Sequence, residues 1–208
     1  MEYADGGALK SYLNFNFDKL TWDDKYTLAF QLASAVSCLH EEGIVHRDLH
    51  SGNILIRHGM IKLADFGLSK RIEVATNQTR VFGVIPYIDP KRFSGQQGND
   101  STLQQDSLTV KSDVYSVGVL LWEISSGRPP FYVEGKGYDI DLAIKISQGQ
   151  RESIIPECWD NEPDIRPALN KVVDKLNAII KKNKYISENE QLNNVESNLQ
   201  LSEQHPYS

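Results

Sequence analysis

The sequence predicts a mainly α-helical protein with small β hairpins. Three observations carry that expectation. Apolar residues recur at helical spacing in three segments, which begin near Trp22, Ser112 and Ala168. Two short segments, Asn53–Ile56 and Ile61–Ala64, flank His58-Gly59 and read as the two arms of one hairpin. The composition, 40% hydrophobic and 24% charged over 208 residues, is that of an ordinary globular chain with one domain and a tail.

In chain order, Met1 to Gly7 is an extended piece running into a glycine turn, and Ala8 to Leu13 a short helix. Thr21 is suited to cap the next helix, with Asp23 and Asp24 in its first turn. Trp22, Tyr26, Ala29, Leu32, Val36 and Leu39 give that helix one buried face, and Gly43 closes it. Residues 69–110 are expected to be mostly irregular, with Ser94 to Ser107 a polar surface loop. Ser112-Asp113 is the expected start of a helix that Gly127 ends. It is apolar almost all round, which places it at the centre of the fold. Asp139 to Gln148 forms a modest helix. Ala168 to Lys182 carries Leu169, Val172, Val173, Leu176, Ile179 and Ile180 on one stripe. The folded domain is expected over 1–182. From Asn183 to Ser208 the apolar content is too low to offset ordering entropy, and a disordered polar tail is expected.

The bulk properties exclude some functions. A net charge of −6 and a pI near 5.4 argue against a nucleic-acid partner, because phosphate backbones recruit Lys and Arg. No basic n-region or apolar run follows Met1, so no signal peptide is expected. The longest apolar run, Val114 to Ile124, is interrupted by Ser116 and Glu123 and is too short for a bilayer span. Cys38 and Cys158 make no disulfide framework and read as small buried hydrophobes. A cytoplasmic location without a membrane partner follows as the expectation.

The chemistry is concentrated between His46 and Gly67. Here His46-Arg47-Asp48-Leu49 is followed by Asn53, then by the hairpin, then by Asp65-Phe66-Gly67. An Asp and an Asn on one loop are most often turn or cap residues. The ordered combination H-R-D-L-x-x-x-N, strand, strand, D-F-G is far more specific, and with it the chain resembles a eukaryotic protein kinase. Small-molecule kinases of the aminoglycoside type share a related loop; Arg47 and Phe66-Gly67 favour the protein kinases.

The resemblance covers residues 1–182 and implies a protein-kinase-like C-terminal lobe with its hinge. It implies transfer of the ATP γ-phosphate to a protein hydroxyl, with ATP and Mg2+ as cofactors. Asp48 would orient the hydroxyl. Asn53 and Asp65, both oxygen donors, would hold magnesium. Glu2 and Ala4 would lie in the hinge that meets adenine, with Met1 at the gatekeeper position and Leu55 beneath the base. His46, Arg47, Phe66 and Gly67 complete the two motifs, with Gly67 permitting a turn and Phe66 packing beneath it. Asp113 matches an aspartate that braces the H-R-D backbone, although a first-turn helix carboxylate would serve the dipole equally. Arg166 matches a structural arginine. The run Ser112 to Glu123, and Gly83, Tyr87 and Pro90, look most like the tyrosine-kinase-like group, whose members mainly phosphorylate Ser and Thr. Residues 65–90 would form the activation segment, with Ser69, Thr76 and Thr79 open to an upstream kinase and Arg47, Arg71 and Arg80 able to pair with an added phosphate.

Four departures qualify the resemblance. No glycine-rich loop, strand lysine or partner glutamate lies within these 208 residues, so the N-terminal β lobe is expected to be absent and the chain alone weak or inactive. His50 and Val84 stand where a lysine and a threonine are usual. Lys91 replaces a glutamate that pairs with the arginine matching Arg166, so two cations are expected to meet and the activation segment to be less firmly anchored. Ile154 to Trp159 is shorter than the family pattern. A non-catalytic, pseudokinase-like protein-binding module is the alternative function, and a piece of a longer working kinase is a third possibility.

Overall fold

The computed structural model describes residues 4–71, 84–93, 102–135, 137–152 and 157–203, without the side chains of 102–109 and 191–203. Expectations for Met1, Glu2, Thr76, Thr79, Arg80, Gly83 and 153–156 therefore lie outside the described residues.

The fold is mainly α with two small sheets. Strand β1 (Gly7–Ala8) leads straight into α1 (Leu9–Asn16). Helix α2 (Trp22–Glu41) begins at a reciprocal cap. The Asp24 amide donates to Thr21 Oγ1 at 3.2 Å, and the Thr21 amide donates to Asp24 Oδ2 at 2.8 Å. Strand β2 (Ile44–Val45) follows, then the hairpin β3 (Ile54–Arg57) and β4 (Met60–Leu63). Strand β5 (Lys70–Arg71) pairs antiparallel with β2. The larger sheet has the order β1-β3-β4, with Ala8 opposite Leu55 and Ile54 opposite Leu63. Helices α3 (Thr102–Ser126), α4 (Ile140–Ser147) and α5 (Leu169–Glu203) complete the chain.

The core lies where α2, α3 and the hairpin meet. Leu32, Val36, Ile54, Ile56, Val117, Leu120 and Trp159 are all buried within one cluster. Alternation along β3 sends Ile54 and Ile56 into it and leaves Leu55 half-buried on the other face.

Several elements differ from expectation. Helix α3 begins at Thr102, ten residues before Ser112, and takes in part of the segment read as a loop. Residues 102–113 are mostly polar but contain no Gly or Pro, so nothing breaks the helix that the apolar part nucleates. Asp113 is consequently mid-helix, and the helix-dipole reading of it falls. Helix α5 runs on through the polar segment from Asn183 to Glu203, where Lys, Glu and Gln are good helix formers continuing an established helix. Trp22 is 58% exposed, being the first helical residue of α2; its ring lies 5.9 Å from Tyr26. The buried face of α2 instead uses Leu28, Ala29, Leu32, Ala33 and Val36. Cys158 is buried as expected but Cys38 is exposed, on the solvent side of α2.

Candidate active site

The loop from His46 to Asn53 joins β2 to β3, and it is held from beneath by α3. The His46 amide donates to Asp113 Oδ2 at 2.8 Å and the Arg47 amide to Asp113 Oδ1 at 2.9 Å. His40 Nε2 lies 3.0 Å from the same Oδ2. One buried carboxylate thus fixes two successive amides, and Arg47 is held at φ 72°, a left-handed conformation unusual for a residue with a Cβ. His46 is fully buried, with Nε2 3.1 Å from the Ala64 carbonyl oxygen.

Asp48 and Asn53 meet directly. Asn53 Nδ2 donates to the Asp48 carbonyl at 3.0 Å and to Asp48 Oδ2 at 3.2 Å. Asp65 is brought alongside by the hairpin, because the Ala64 amide donates to the Asn53 carbonyl at 2.9 Å. Asp65 itself is at φ 58°, and its Oδ1 accepts from the Gly67 amide at 3.2 Å. The three oxygen-bearing side chains therefore stand at one end of the β3–β4 hairpin. Leu55 is next along β3, and β1, which follows Ala4, pairs with it. The Ala4 carbonyl accepts the Gly7 amide at 3.1 Å.

Phe66 is not packed away: its ring sits 5.0 Å from that of His46 but stays 47% exposed. Ser69 Oγ donates to the His46 carbonyl at 3.2 Å. His50 lies over the loop with Nε2 3.9 Å from Asp48 Oδ2. Burial pulls its imidazole below the ordinary value, against the opposing pull of the Asp48 carboxylate.

Arg166 departs from expectation. Lys91 does not meet it; Arg166 makes a forked pair with Asp89, Nη1 to Oδ2 at 2.6 Å and Nη2 to Oδ1 at 3.0 Å. Lys91 turns outward to Glu162, at 2.7 Å. The acid that pairs Arg166 stands two positions before Lys91, and Lys91 has its own partner.

A buried cluster went unread in the sequence. Tyr87 Oη donates to Glu123 Oε2 at 2.6 Å and lies 3.1 Å from Ser51 Oγ. It ties the loop, the 84–90 segment and α3 together. Burial raises the Glu123 carboxyl above its usual range, with Tyr87, Ser51 and Lys10 opposing. The one available signal was a lone acid within the apolar run of α3.

Among the described residues no three His, Cys, Asp or Glu side chains form a metal cluster. A pair of aspartates with an asparagine is a different donor set. Asn53 commits its NH2 to Asp48, which leaves its Oδ1 as the acceptor, and an amide oxygen with a carboxylate suits a hard cation.

Residues 1–176 match the family of protein tyrosine and serine/threonine kinases. The chain belongs to the protein kinase family. A Lactococcus lactis protein named as a probable serine/threonine-protein kinase, PknB, is 32% identical over 204 residues, 97% of this chain and 30% of that protein. A Dictyostelium discoideum protein named as a probable serine/threonine-protein kinase is 30% identical over 86% of this chain and 19% of its own length. A dual specificity kinase of the same organism, splA, is 30% identical over 84% of this chain and 8% of its own length. The chain thus spans less than a third of each of these kinases.

Proposed function

We propose that this chain carries the hydroxyl-orienting and metal-facing part of a protein kinase that transfers the γ-phosphate of ATP to Ser and Thr side chains. The observation that carries the reading is the direct Asn53–Asp48 contact with Asp65 held beside it by the Ala64–Asn53 hydrogen bond. Asp48 accepts the hydrogen bond of the substrate hydroxyl. Asn53 and Asp65 hold magnesium, which when bound offsets phosphate charge. Glu2 and Ala4 meet the adenine through their backbone, and Leu55, half-buried beside β1, forms the apolar floor beneath it.

The names of the relatives support Ser and Thr as acceptors, with a dual specificity enzyme among them. Protein substrates, and an upstream kinase acting on the activation segment, belong to the same reading. No helix among the described residues is long and apolar enough to cross a membrane, and both cysteines are unpaired, which supports a cytoplasmic site of action. The charge of −6 makes nucleic acid a poor partner.

The test is transfer of labelled phosphate from ATP to a mixed protein substrate by the intact protein. Transfer should require magnesium, appear on Ser and Thr, and fall at least ~100-fold in Asp48→Asn. Transfer that survives Asp48→Asn overturns the reading.

A further inference from the structure

His50 has a hydrogen-bonding state that the backbone dictates. The Gly52 amide donates to His50 Nδ1 at 3.1 Å. An amide N–H is only ever a donor, so Nδ1 is the unprotonated acceptor and the ring proton sits on Nε2. The ring is therefore neutral in this arrangement. Burial favours the same state, and His46 and Lys10 add to it; the carboxylates of Asp48 and Asp65 pull the other way. The ring is closely confined: a Cβ at Gly52 would lie 2.9 Å from both Cε1 and Nδ1. Tyr87 lies on another side, ring centres 6.1 Å apart.

With its tautomer set, Nε2–H faces Asp48 Oδ2 across 3.9 Å, too long for a hydrogen bond and close enough for a dipole to act on a charge. Asn53 Nδ2 donates to that same oxygen at 3.2 Å. Two N–H groups thus address Oδ2, and among the described residues no protein donor reaches Oδ1. We infer that His50 is a positioning residue: its neutral Nε2–H, with the Asn53 amide, keeps Oδ2 turned toward the protein and leaves Oδ1 to receive the substrate hydroxyl. The inference rests on the phosphoryl-transfer reading above. It gives the site a neutral dipole beside Asp48 where the family usually has a fixed positive charge.

Two measurements test it. Imidazole 15N NMR of the intact protein at pH 7.5, without nucleotide, should show Nε2 protonated and Nδ1 accepting. An Nδ1–H tautomer or a cationic ring overturns the proposal. The second uses His50→Asn, whose short amide can still accept the Gly52 N–H two residues on but cannot reach Asp48. Its kcat should fall about tenfold with KM for the protein substrate unchanged, a misplacement effect. His50→Gln, with an N–H of longer reach, should recover most of the loss. Wild-type kcat in His50→Asn, or a Gln variant as poor as the Asn one, reduces His50 to a turn residue and overturns the proposal. An intact protein that transfers no phosphate sinks the phosphoryl-transfer reading instead, and the tautomer then still decides whether His50 faces Asp48 as a donor.

Discussion

Arg166 and Asp89 form a two-pronged ion pair whose side chains are both 0% exposed, bridging residues 77 positions apart. Ser112 Oγ donates to Asp89 Oδ2 at 2.9 Å and the Lys91 amide to Oδ1 at 3.0 Å, so the carboxylate is fully dressed. The guanidinium also donates to the carbonyls of Asp160, Lys111 and Asn161. Such a pair is costly to desolvate as a whole, and costlier to break in half. Arg166→Leu should strand the buried Asp89 charge and lower stability by about 3–5 kcal/mol, read as a shift in the urea midpoint. Lys91→Ala, which removes only the exposed contact to Glu162, should change stability by less than about 1 kcal/mol. Equal losses in the two variants would show that Arg166 does not depend on Asp89.

Asp113 satisfies two amides at once, and its removal tests whether the loop conformation depends on it. In Asp113→Ala the His46 and Arg47 amides lose their acceptor, at about 1–3 kcal/mol for each buried donor left unpaired. The loop amides of 46 and 47 should then exchange with solvent faster than those of β3. Unchanged exchange at those two positions would contradict this.

Glu123 should make stability depend on pH. Its carboxyl is raised in the folded state by burial, so the native chain holds its proton more tightly than the unfolded chain. Its contribution is fully present below the unfolded value near 4.5 and is lost as pH rises through the higher folded value. Glu123→Gln keeps an oxygen for the Tyr87 hydroxyl and removes the titration. Urea melts from pH 4 to 8 should show the variant gaining on the wild type as pH rises. A difference that stays flat across that range contradicts the prediction.

Gly127 ends α3 at φ 70°, and a Cβ there would lie 2.4 Å from Phe17 Cγ. Gly127→Ala therefore combines a left-handed residue with a ring clash, and should cost about 2–4 kcal/mol. Gly59, also at positive φ, has open space around its missing Cβ. Gly59→Ala should cost only the backbone part, about 1–2 kcal/mol. Thermal melts of the two variants give the comparison.

Much of the candidate site was legible because it is local. Asp48 and Asn53 share one eight-residue loop, and the hairpin that returns Asp65 to them is marked by two short strands about a glycine turn. The helical stripes of α2 and α5 were legible in part from period, since burial on one face imposes it, but Trp22 and Ile179, both read into those stripes, are exposed. Boundaries were less so. The start of α3 was missed because a polar helix extension has no periodic apolar signal. The pair β2–β5 was missed because two residues carry no pattern and the partners are 27 and 25 positions apart.

Residue order alone determined the chemistry available to this protein: which carboxylates, amides and glycines stand within reach along a short stretch of chain. It also determined the family. Only the tertiary structure decided which distant groups answer one another. Asp89, and no acid at 91, neutralises Arg166; Asp113 reaches back to the 46–47 amides; Tyr87 finds Glu123. The reason is physical. A buried charge or amide accepts whichever partner the packed helices bring to it, and sequence distance has no part in that choice.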